Sequence, residues 1–270
     1  MSTLYKRFEN FSSKFVQNRH IDIWVPENYE QENNKRFAVL YMHDGQNIFD
    51  PQFAYTGIDW GIVPALEKLK TNGENLKEVI IVGIWNTDKR LDEYLPNKPF
   101  HASRGETALD KIKPHLKGEI LSDLYLQFLV TELKPFIDQS YRTLSGQENT
   151  YIMGSSMGGL ISLYALCEYP DVFCGAGCLS THWPIIRTLF RDYLKENMPD
   201  PSTHKIYFDF GTVGLDKEYE PHQNRIDTVM KNAGYTFGEN WLTQKFEGAE
   251  HNEAAWRERI HIPLKFLLKK

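Results

Sequence analysis

The chain has 270 residues, of which 41% are hydrophobic and 25% are charged, and its formal net charge at pH 7 is −5. This length accommodates one large α/β domain or two small ones, and the composition is ordinary for a globular protein with a substantial core. Because the sequence contains no long basic run and no apolar stretch near the ~20 residues of a membrane-spanning helix, we expect it to bind neither nucleic acid nor a membrane.

The N-terminal segment and the cysteines bear on the compartment of the protein. Residues 1–15 lack the apolar core of a signal peptide, so we expect a cytoplasmic protein, although a signal already removed from the chain would leave no trace. Cys167, Cys174 and Cys178 are odd in number and lie in apolar surroundings, which predicts buried free thiols in a reducing compartment. Their spacing offers no histidine partners for zinc, so we expect no metal.

Taken in chain order, seven short segments predict β-strands that alternate with helical patterns. The predicted strands are residues 19–25, 37–42, 79–84, 150–153, 175–180, 205–211 and 241–246. The predicted helices are residues 60–70, 121–137, 160–167, 220–233 and 256–268. We interpret residues 28–36 as a hairpin-like connection and residues 97–120 and 181–198 as two loop excursions. The alternation predicts an α/β fold in one domain, residues 1–270, with a doubly wound, mostly parallel sheet and helices on both faces.

A Gly-x-Ser-x-Gly motif centred on Ser156 stands between a predicted strand and a predicted helix. In that setting the motif is typical of a nucleophile elbow, where a strained turn exposes a serine hydroxyl beside a helix N-terminus. Ser155 is the neighbouring alternative, but only Ser156 has glycines, Gly154 and Gly158, two residues away on both sides. The alternative interpretation is that the small residues of the motif only allow the helix to pack closely on the strand.

A serine hydroxyl needs a base, and the base needs a carboxylate that orients it. In the α/β-hydrolase arrangement the three residues follow along the chain in the order Ser, Asp or Glu, His. His251 lies in the loop after the last predicted strand, and position favours it over the other histidines after the elbow. Asp216 and Glu218 both lie in the loop after the strand 205–211, and we favour Asp216. Asp209 is inside that strand, where its side chain would point into a covered face.

The loop after the strand 37–42 is the candidate source of an oxyanion donor. A glycine-containing loop at the end of a central strand can aim a backbone N–H group at a substrate. We expect this donor to be the amide of Gln46 or Gly45, and the second oxyanion donor to be the amide of Met157. The alternative interpretation of the loop is a plain β-turn. His43 lies upstream of the serine, so we interpret it as a structural hydrogen-bonding residue and not as the base.

Substrate contacts are expected from loops at the same edge of the sheet. Trp183, in the second excursion, is a candidate for contact with an aromatic or sugar group, although the role of a core anchor is slightly favoured. Arg90 and Tyr94, which follow the strand 79–84, are further candidates. The two excursions are expected to determine specificity.

Several of these stretches together resemble the putative esterase family of α/β-hydrolases, which includes esterase D, enterochelin-esterase-like and feruloyl-esterase-like enzymes. The matching stretches are residues 39–46, 82–84 with Arg90, Glu93 and Tyr94, 154–159, 208–212 with Asp216, and 248–252 with Trp256. The resemblance implies the α/β-hydrolase fold, with Ser156 as nucleophile, His251 as base and Asp216 as acid. It also implies an oxyanion hole formed by Met157 and the Asp-Gly-Gln loop.

The expected function is that of a serine carboxylic-ester hydrolase that acts through an acyl-enzyme on a small-molecule ester, with no metal and no organic cofactor. A thioesterase or a siderophore-lactone hydrolase using the same site is one alternative, and a non-catalytic binding module on the same fold is another. A serine peptidase is disfavoured because the chain has no spare length for a gating domain. The oligomeric state stays open, with a homodimer as the assembly considered.

Overall fold

The computed structural model describes residues 5–102 and 105–270, and its eight strands form one sheet in the order β1-β2-β4-β3-β5-β6-β7-β8. The strands are β1 Lys6–Phe11, β2 Arg19–Trp24, β3 Ala38–His43, β4 Val79–Ile84, β5 Thr150–Ser155, β6 Gly175–Leu179, β7 Lys205–Gly211 and β8 Trp241–Phe246. β1 and β2 pair antiparallel, as do β2 and β4, and every later pairing is parallel. The predicted mostly parallel sheet is therefore confirmed.

Ten α-helices lie along the described chain, and they cover the sheet on both faces. They are α1 Ile62–Thr71, α2 Arg90–Tyr94, α3 Gly105–Ile112, α4 Ser122–Phe128, α5 Lys134–Ser140, α6 Met157–Glu168, α7 Arg187–Asn197, α8 Glu220–Asn232, α9 Glu253–Arg259 and α10 His261–Leu268. One apolar cluster joins the sheet to α1, α9 and α10, and a larger one joins it to α4, α6, α7 and α8. Every residue of β3 to β6 is buried, which explains why these strands read as continuous apolar or small-residue runs.

The structure differs from the predicted strand pattern in two places. β1 was not predicted, because its sequence, KRFENF, mixes charged and apolar side chains and none of its residues is fully buried at the sheet edge. The hairpin-like interpretation of residues 28–36 is wrong, because β4 lies between β2 and β3 in the sheet. A strand inserted between two others depends on long-range pairing, which local turn signals do not encode.

Two predicted helices are interrupted, and each contains a proline near the interruption. The segment 121–137 consists of α4, a π-helical turn at Leu129–Leu133, and α5 with Pro135 in its first turn. The closing segment divides near Ile260 into α9 and α10, and α10 carries Pro263. Proline lacks an amide hydrogen and its ring collides with the carbonyl four residues earlier, so a regular helix cannot continue through it.

The two excursions contain more regular structure than expected. The first includes α3 and the 3-10 turns Lys98–His101 and Lys113–His115, and the second includes α7. Residues 103–104 of the first excursion, like residues 1–4 of the N-terminal segment, lie outside the described part of the chain. Cys167, Cys174 and Cys178 are buried free thiols, as predicted.

Within residues 5–102 and 105–270, none of the helices combines the length and the apolar content needed to span a lipid bilayer.

Candidate active site

Ser156 stands at the junction of β5 and α6 with a backbone conformation that non-glycine residues rarely adopt. Its φ is 57° and its ψ is −119°, and its amide donates to the Leu179 carbonyl of the neighbouring strand at 2.9 Å. A Cβ atom on Gly154 would lie 2.7 Å from the carbonyl carbon of Gly158, so the two glycines of the motif permit a close approach inside the turn. Ser156 itself is partly exposed between buried neighbours. The geometry is that of a strained strand-to-helix elbow.

The loops after β7 and β8 bring Asp216 and His251 into direct contact. Asp216 lies in the 3-10 turn Gly214–Glu218, and its Oδ1 is 2.6 Å from His251 Nδ1. Its Oδ2 accepts hydrogen bonds from Ser180 Oγ and from the Gly211 amide, each at 2.6 Å. The side chain of Asp216 is buried, whereas that of Glu218 is exposed. Of the two carboxylates left open by the sequence, the structure pairs Asp216 with the histidine.

Asp216 is held in its ionised form by its hydrogen-bond partners. Burial raises the pKa of this carboxyl, but hydrogen bonds from His251 and Ser180 outweigh burial and lower the pKa below its ordinary value of 3.8. An ionised Asp216 accepts a hydrogen bond from His251, so Nδ1 carries the proton and Nε2 is free to act as a base.

Ser156 and His251 lie at the same edge of the sheet, because β5 to β8 are parallel and both residues follow carboxyl ends of strands. Residues 5–102 and 105–270 contain no hydrogen bond between these two side chains. His182 and Tyr219 connect them instead: the His182 amide donates to the Ser156 carbonyl at 3.2 Å, and His182 Nδ1 is 2.6 Å from the Tyr219 hydroxyl. The Tyr219 ring packs edge-on against the His251 ring, with centroids 5.7 Å apart.

His182 is one of the histidines after the elbow over which the sequence favoured His251, yet it lies near the candidate triad. Burial, together with the charges of His251 and Arg90, lowers the pKa of His182 from 6.5 to about 4. Its imidazole is therefore neutral at pH 7. Its place three residues after the end of β6, the strand that pairs with β5, was the signal that could have found it.

The candidate oxyanion donors, Met157 with Gln46 or Gly45, lie in turns after the carboxyl ends of the paired strands β5 and β3. Met157 is the first residue of α6, and Gln46 lies in the 3-10 turn Gly45–Asn47 directly after β3. None of the amides of Met157, Gln46 and Gly45 donates a hydrogen bond to another of the described residues. A Cβ atom on Gly45 would lie 2.5 Å from the backbone of Gly83, so this loop packs tightly against the end of β4. Two free N–H groups beside the elbow are what an oxyanion hole requires.

Asp44 anchors the loop that carries Gln46. Its backbone is left-handed, with φ 57° and ψ 46°, and its carboxylate receives Arg90 Nε at 2.7 Å and Arg90 Nη2 at 2.8 Å. Asn86 donates to the same carboxylate at 2.6 Å, and the Asp44 amide is 3.4 Å from the Tyr94 hydroxyl. Arg90 and Tyr94 thus hold the loop after β3 in place.

The predicted substrate contacts of Trp183 and Tyr94 are not supported. Trp183 is 2% exposed and its indole N–H donates to Gln223 Oε1 at 2.9 Å, so it is the core anchor that was slightly favoured. Tyr94 has no exposed surface, and its hydroxyl lies against the Asp44 amide. Arg90 remains partly exposed, but two of its three guanidinium nitrogens are bound to Asp44.

His43 occupies the structural place expected for it. It is fully buried, and its Nδ1 is 2.8 Å from the Tyr125 hydroxyl. Burial is the main cause that lowers the pKa of His43 from 6.5 to about 3, against the opposing charge of Asp44. The folded protein therefore holds this imidazole neutral in a pH range where an unfolded chain would protonate it.

We expect the free energy of unfolding to fall as the pH drops from 6.5 toward 3, the window set by the ordinary and lowered pKa of His43. In this window the unfolded chain binds a proton that the folded chain does not, so acid favours unfolding by up to about 1.4 kcal/mol per pH unit for this group. In His43→Gln, denaturant unfolding between pH 6 and 4 should show a correspondingly shallower dependence on pH. The exposed His115→Gln is the control, and parallel curves for wild type and His43→Gln would refute the prediction.

Comparison with known proteins places this chain in a family. The sequence model of the family described as "Putative esterase" matches residues 12–265. The uncharacterized protein YbbA of Bacillus subtilis (strain 168) is 26% identical over 263 residues, covering 94% of each chain.

Two solved structures share the fold. A ferulic acid esterase superposes with a TM-score of 0.71 at 20% identity, covering 98% of this chain and 97% of its own. An IroE-like serine hydrolase from Shewanella oneidensis gives a TM-score of 0.69 at 20% identity, covering 97% of this chain and 78% of its own. The chain therefore belongs to the putative esterase family, which makes it a carboxylic-ester hydrolase by family and an α/β-hydrolase by fold.

Proposed function

We propose that the protein is a serine carboxylic-ester hydrolase that acts on a small-molecule ester through an acyl-enzyme. Ser156 is the nucleophile, His251 the base, and Asp216 the carboxylate that orients the base. The observation that carries the proposal is the 2.6 Å contact between His251 Nδ1 and the buried Asp216, at the sheet edge where the strained Ser156 precedes α6. This pairing supplies the one group that a serine hydroxyl lacks, a base with a fixed tautomer.

In the acylation step, Ser156 Oγ attacks the ester carbonyl while His251 Nε2 removes the hydroxyl proton. The carbonyl oxygen becomes an oxyanion, which the Met157 amide and the Gln46 or Gly45 amide stabilise by hydrogen bonds. His251 is then an imidazolium, and the ionised Asp216 stabilises its charge. The tetrahedral intermediate collapses as His251 donates its proton to the leaving alcohol, and the acyl group stays on Ser156.

In the second step, His251 Nε2 removes a proton from water, and the resulting hydroxide attacks the acyl carbonyl. The same two amides hold the second oxyanion, and the imidazolium returns its proton to Ser156 Oγ as the acid leaves. Asp216 and His251 are already in contact, so their pairing requires no movement of a loop. The contact of His251 with Ser156 is the one expected to tighten when substrate binds, as catalytic hydrogen bonds often do.

The neutral His182 supports this charge arrangement. It is bound to Tyr219, which packs against His251, and its lowered pKa means that it adds no positive charge near the imidazolium at pH 7. A charged neighbour there would oppose proton transfer to His251. Asp216 therefore remains the nearest charged partner of the base.

Labelling with a fluorophosphonate probe tests the proposal without knowledge of the natural ester. We expect one adduct, at Ser156, and hydrolysis of p-nitrophenyl esters that the adduct abolishes. Adduct formation at another residue, or none, would contradict the proposed nucleophile. A protein that binds esters but neither reacts with the probe nor hydrolyses them would be a binding module. Comparison of aryl esters, thioesters and cyclic lactones then identifies the acyl derivative that reacts fastest.

A further inference from the structure

Ser180 lies immediately behind the Asp216–His251 pair and is fully buried. It follows the last residue of β6, and its φ of 39° is in the left-handed region. Its amide is fixed by Asp209, donating to the carbonyl oxygen at 2.9 Å and lying 3.1 Å from Oδ1. In this backbone conformation the hydroxyl lies against Asp216.

Three groups surround the Ser180 hydroxyl, and their chemistry fixes where its hydrogen points. Oγ is 2.6 Å from Asp216 Oδ2, 3.1 Å from Trp256 Nε1 and 2.8 Å from Arg259 Nη2. Indole and guanidinium nitrogens donate hydrogen bonds and cannot accept them, so they occupy the two lone pairs of the hydroxyl oxygen. The single hydroxyl hydrogen is left for Asp216, the one acceptor among the three.

The donors to Ser180 are themselves held rigidly. Arg259 is 3% exposed and contacts the fully buried Asp209 through two nitrogens, Nε at 3.1 Å and Nη2 at 3.0 Å. Trp256 packs edge-on against the His251 ring, with centroids 5.1 Å apart. Both residues belong to α9, the helix that follows the His251 loop. The hydroxyl therefore connects the Asp216 carboxylate to the helix that also supports the imidazole.

We propose that Ser180 is a positioning residue of this site, which orients the Asp216 carboxylate by a hydrogen bond whose direction Trp256 and Arg259 enforce. Asp216 Oδ2 then points at Ser180 and the Gly211 amide, and Oδ1 is left for His251 Nδ1. A carboxylate free to rotate about its Cβ–Cγ bond would present either oxygen, or neither, to the imidazole. The effect of Ser180 on turnover rests on the proposed function, whereas its effect on the hydrogen bond between Asp216 and His251 does not.

Ser180→Ala and Ser180→Gly together test the proposal. Both remove the hydroxyl, but glycine tolerates the positive φ, so the pair separates the loss of a hydrogen bond from backbone strain. We expect both variants to lower kcat for a p-nitrophenyl ester by about tenfold or more, the cost of one lost hydrogen bond to a charged group, with KM within about twofold. Ser122→Ala is the matched control, because Ser122 is also fully buried and accepts one hydrogen bond, from the Asn97 amide.

The proton resonance of His251 Nδ1–H is the second measurement, made on protein with isotopically labelled histidine. We expect the resonance to shift or disappear in both Ser180 variants and to stay unchanged in Ser122→Ala. The rings that pack against His251, those of Tyr219 and Trp256, and His182, which is bound to Tyr219, are unaltered in all of these proteins, so the change reports the carboxylate.

Three outcomes would overturn the proposal: wild-type kcat in Ser180→Ala, recovery of kcat in Ser180→Gly alone, or a fall in kcat with an unmoved resonance. The last of these would show that Ser180 acts only on the fold. A wild-type protein that hydrolyses no ester would contradict the proposed function, whereas the resonance would still decide whether Ser180 orients Asp216.

Discussion

Substitution of Ser156 by alanine is expected to lower kcat/KM for any ester that the protein hydrolyses by at least about 10⁴-fold. The reason is that the acyl-enzyme cannot form without the hydroxyl, and the rate that remains comes from the oxyanion donors and from binding alone. The fold should be unaffected, because the Ser156 side chain makes no hydrogen bond to another described residue. Initial rates and thermal unfolding of the purified variant measure both expectations.

Ser155→Ala is the matched control for this experiment. Ser155 precedes Ser156, is 3% exposed and ends β5, so it has the same side chain one position away but no access to solvent. We expect this variant to retain most of the activity. If Ser155→Ala were inactive and Ser156→Ala active, the nucleophile would be assigned to the wrong serine.

Asp216→Asn is expected to lower kcat by about 10⁴-fold at neutral pH, the size of effect seen when the carboxylate of such a triad becomes an amide. An asparagine keeps the shape of the side chain but loses the negative charge that stabilises the imidazolium. Its amide group can also donate to His251 Nδ1, which would place the imidazole proton on Nε2 and remove the base. A pH profile of kcat with a soluble aryl ester measures the loss.

Glu218→Gln provides the comparison within the same turn. Glu218 is exposed, whereas Asp216 is 1% exposed and bound to the imidazole, so the Gln variant should hydrolyse esters at the wild-type rate. The opposite pattern, with Glu218→Gln inactive and Asp216→Asn active, would show that the loop rearranges to use the other carboxylate.

The fold could be predicted because its main signals are local. β3 to β6 are covered on both faces, so their apolar or small-residue runs identify them without knowledge of their neighbours. β1 could not be predicted in this way, because an edge strand with exposed charged residues has no such pattern and is recognised only by its pairing with β2. The break near Ile260 likewise depends on the collision of the Pro263 ring with the previous turn.

The candidate site could be predicted for residues whose place follows from their position along the chain. It could not be predicted for residues whose role depends on the direction of the side chain. Ser156, Asp216 and His251 follow carboxyl ends of parallel strands, so their place at one edge follows from topology. Tyr94 and Trp183 also lie near that edge, but both point inward, and only the packed structure shows this.

Ser180 gave no signal in the sequence. Its importance in the structure comes from a left-handed backbone and from donors located about eighty residues further along the chain. Contacts of such sequence separation are determined by tertiary packing, and a local pattern carries no information on them.

The start of α9 orders the segment that carries the His251 imidazole. Asn252, the residue after His251, accepts the Ala255 amide at 2.9 Å with its own side chain and so caps the helix. The freedom of the segment bearing the imidazole is therefore lost when the chain folds, long before any ester arrives. Favourable contacts with an incoming molecule are then not needed to bring His251 to Asp216, since that contact is already formed, and can act on the ester itself.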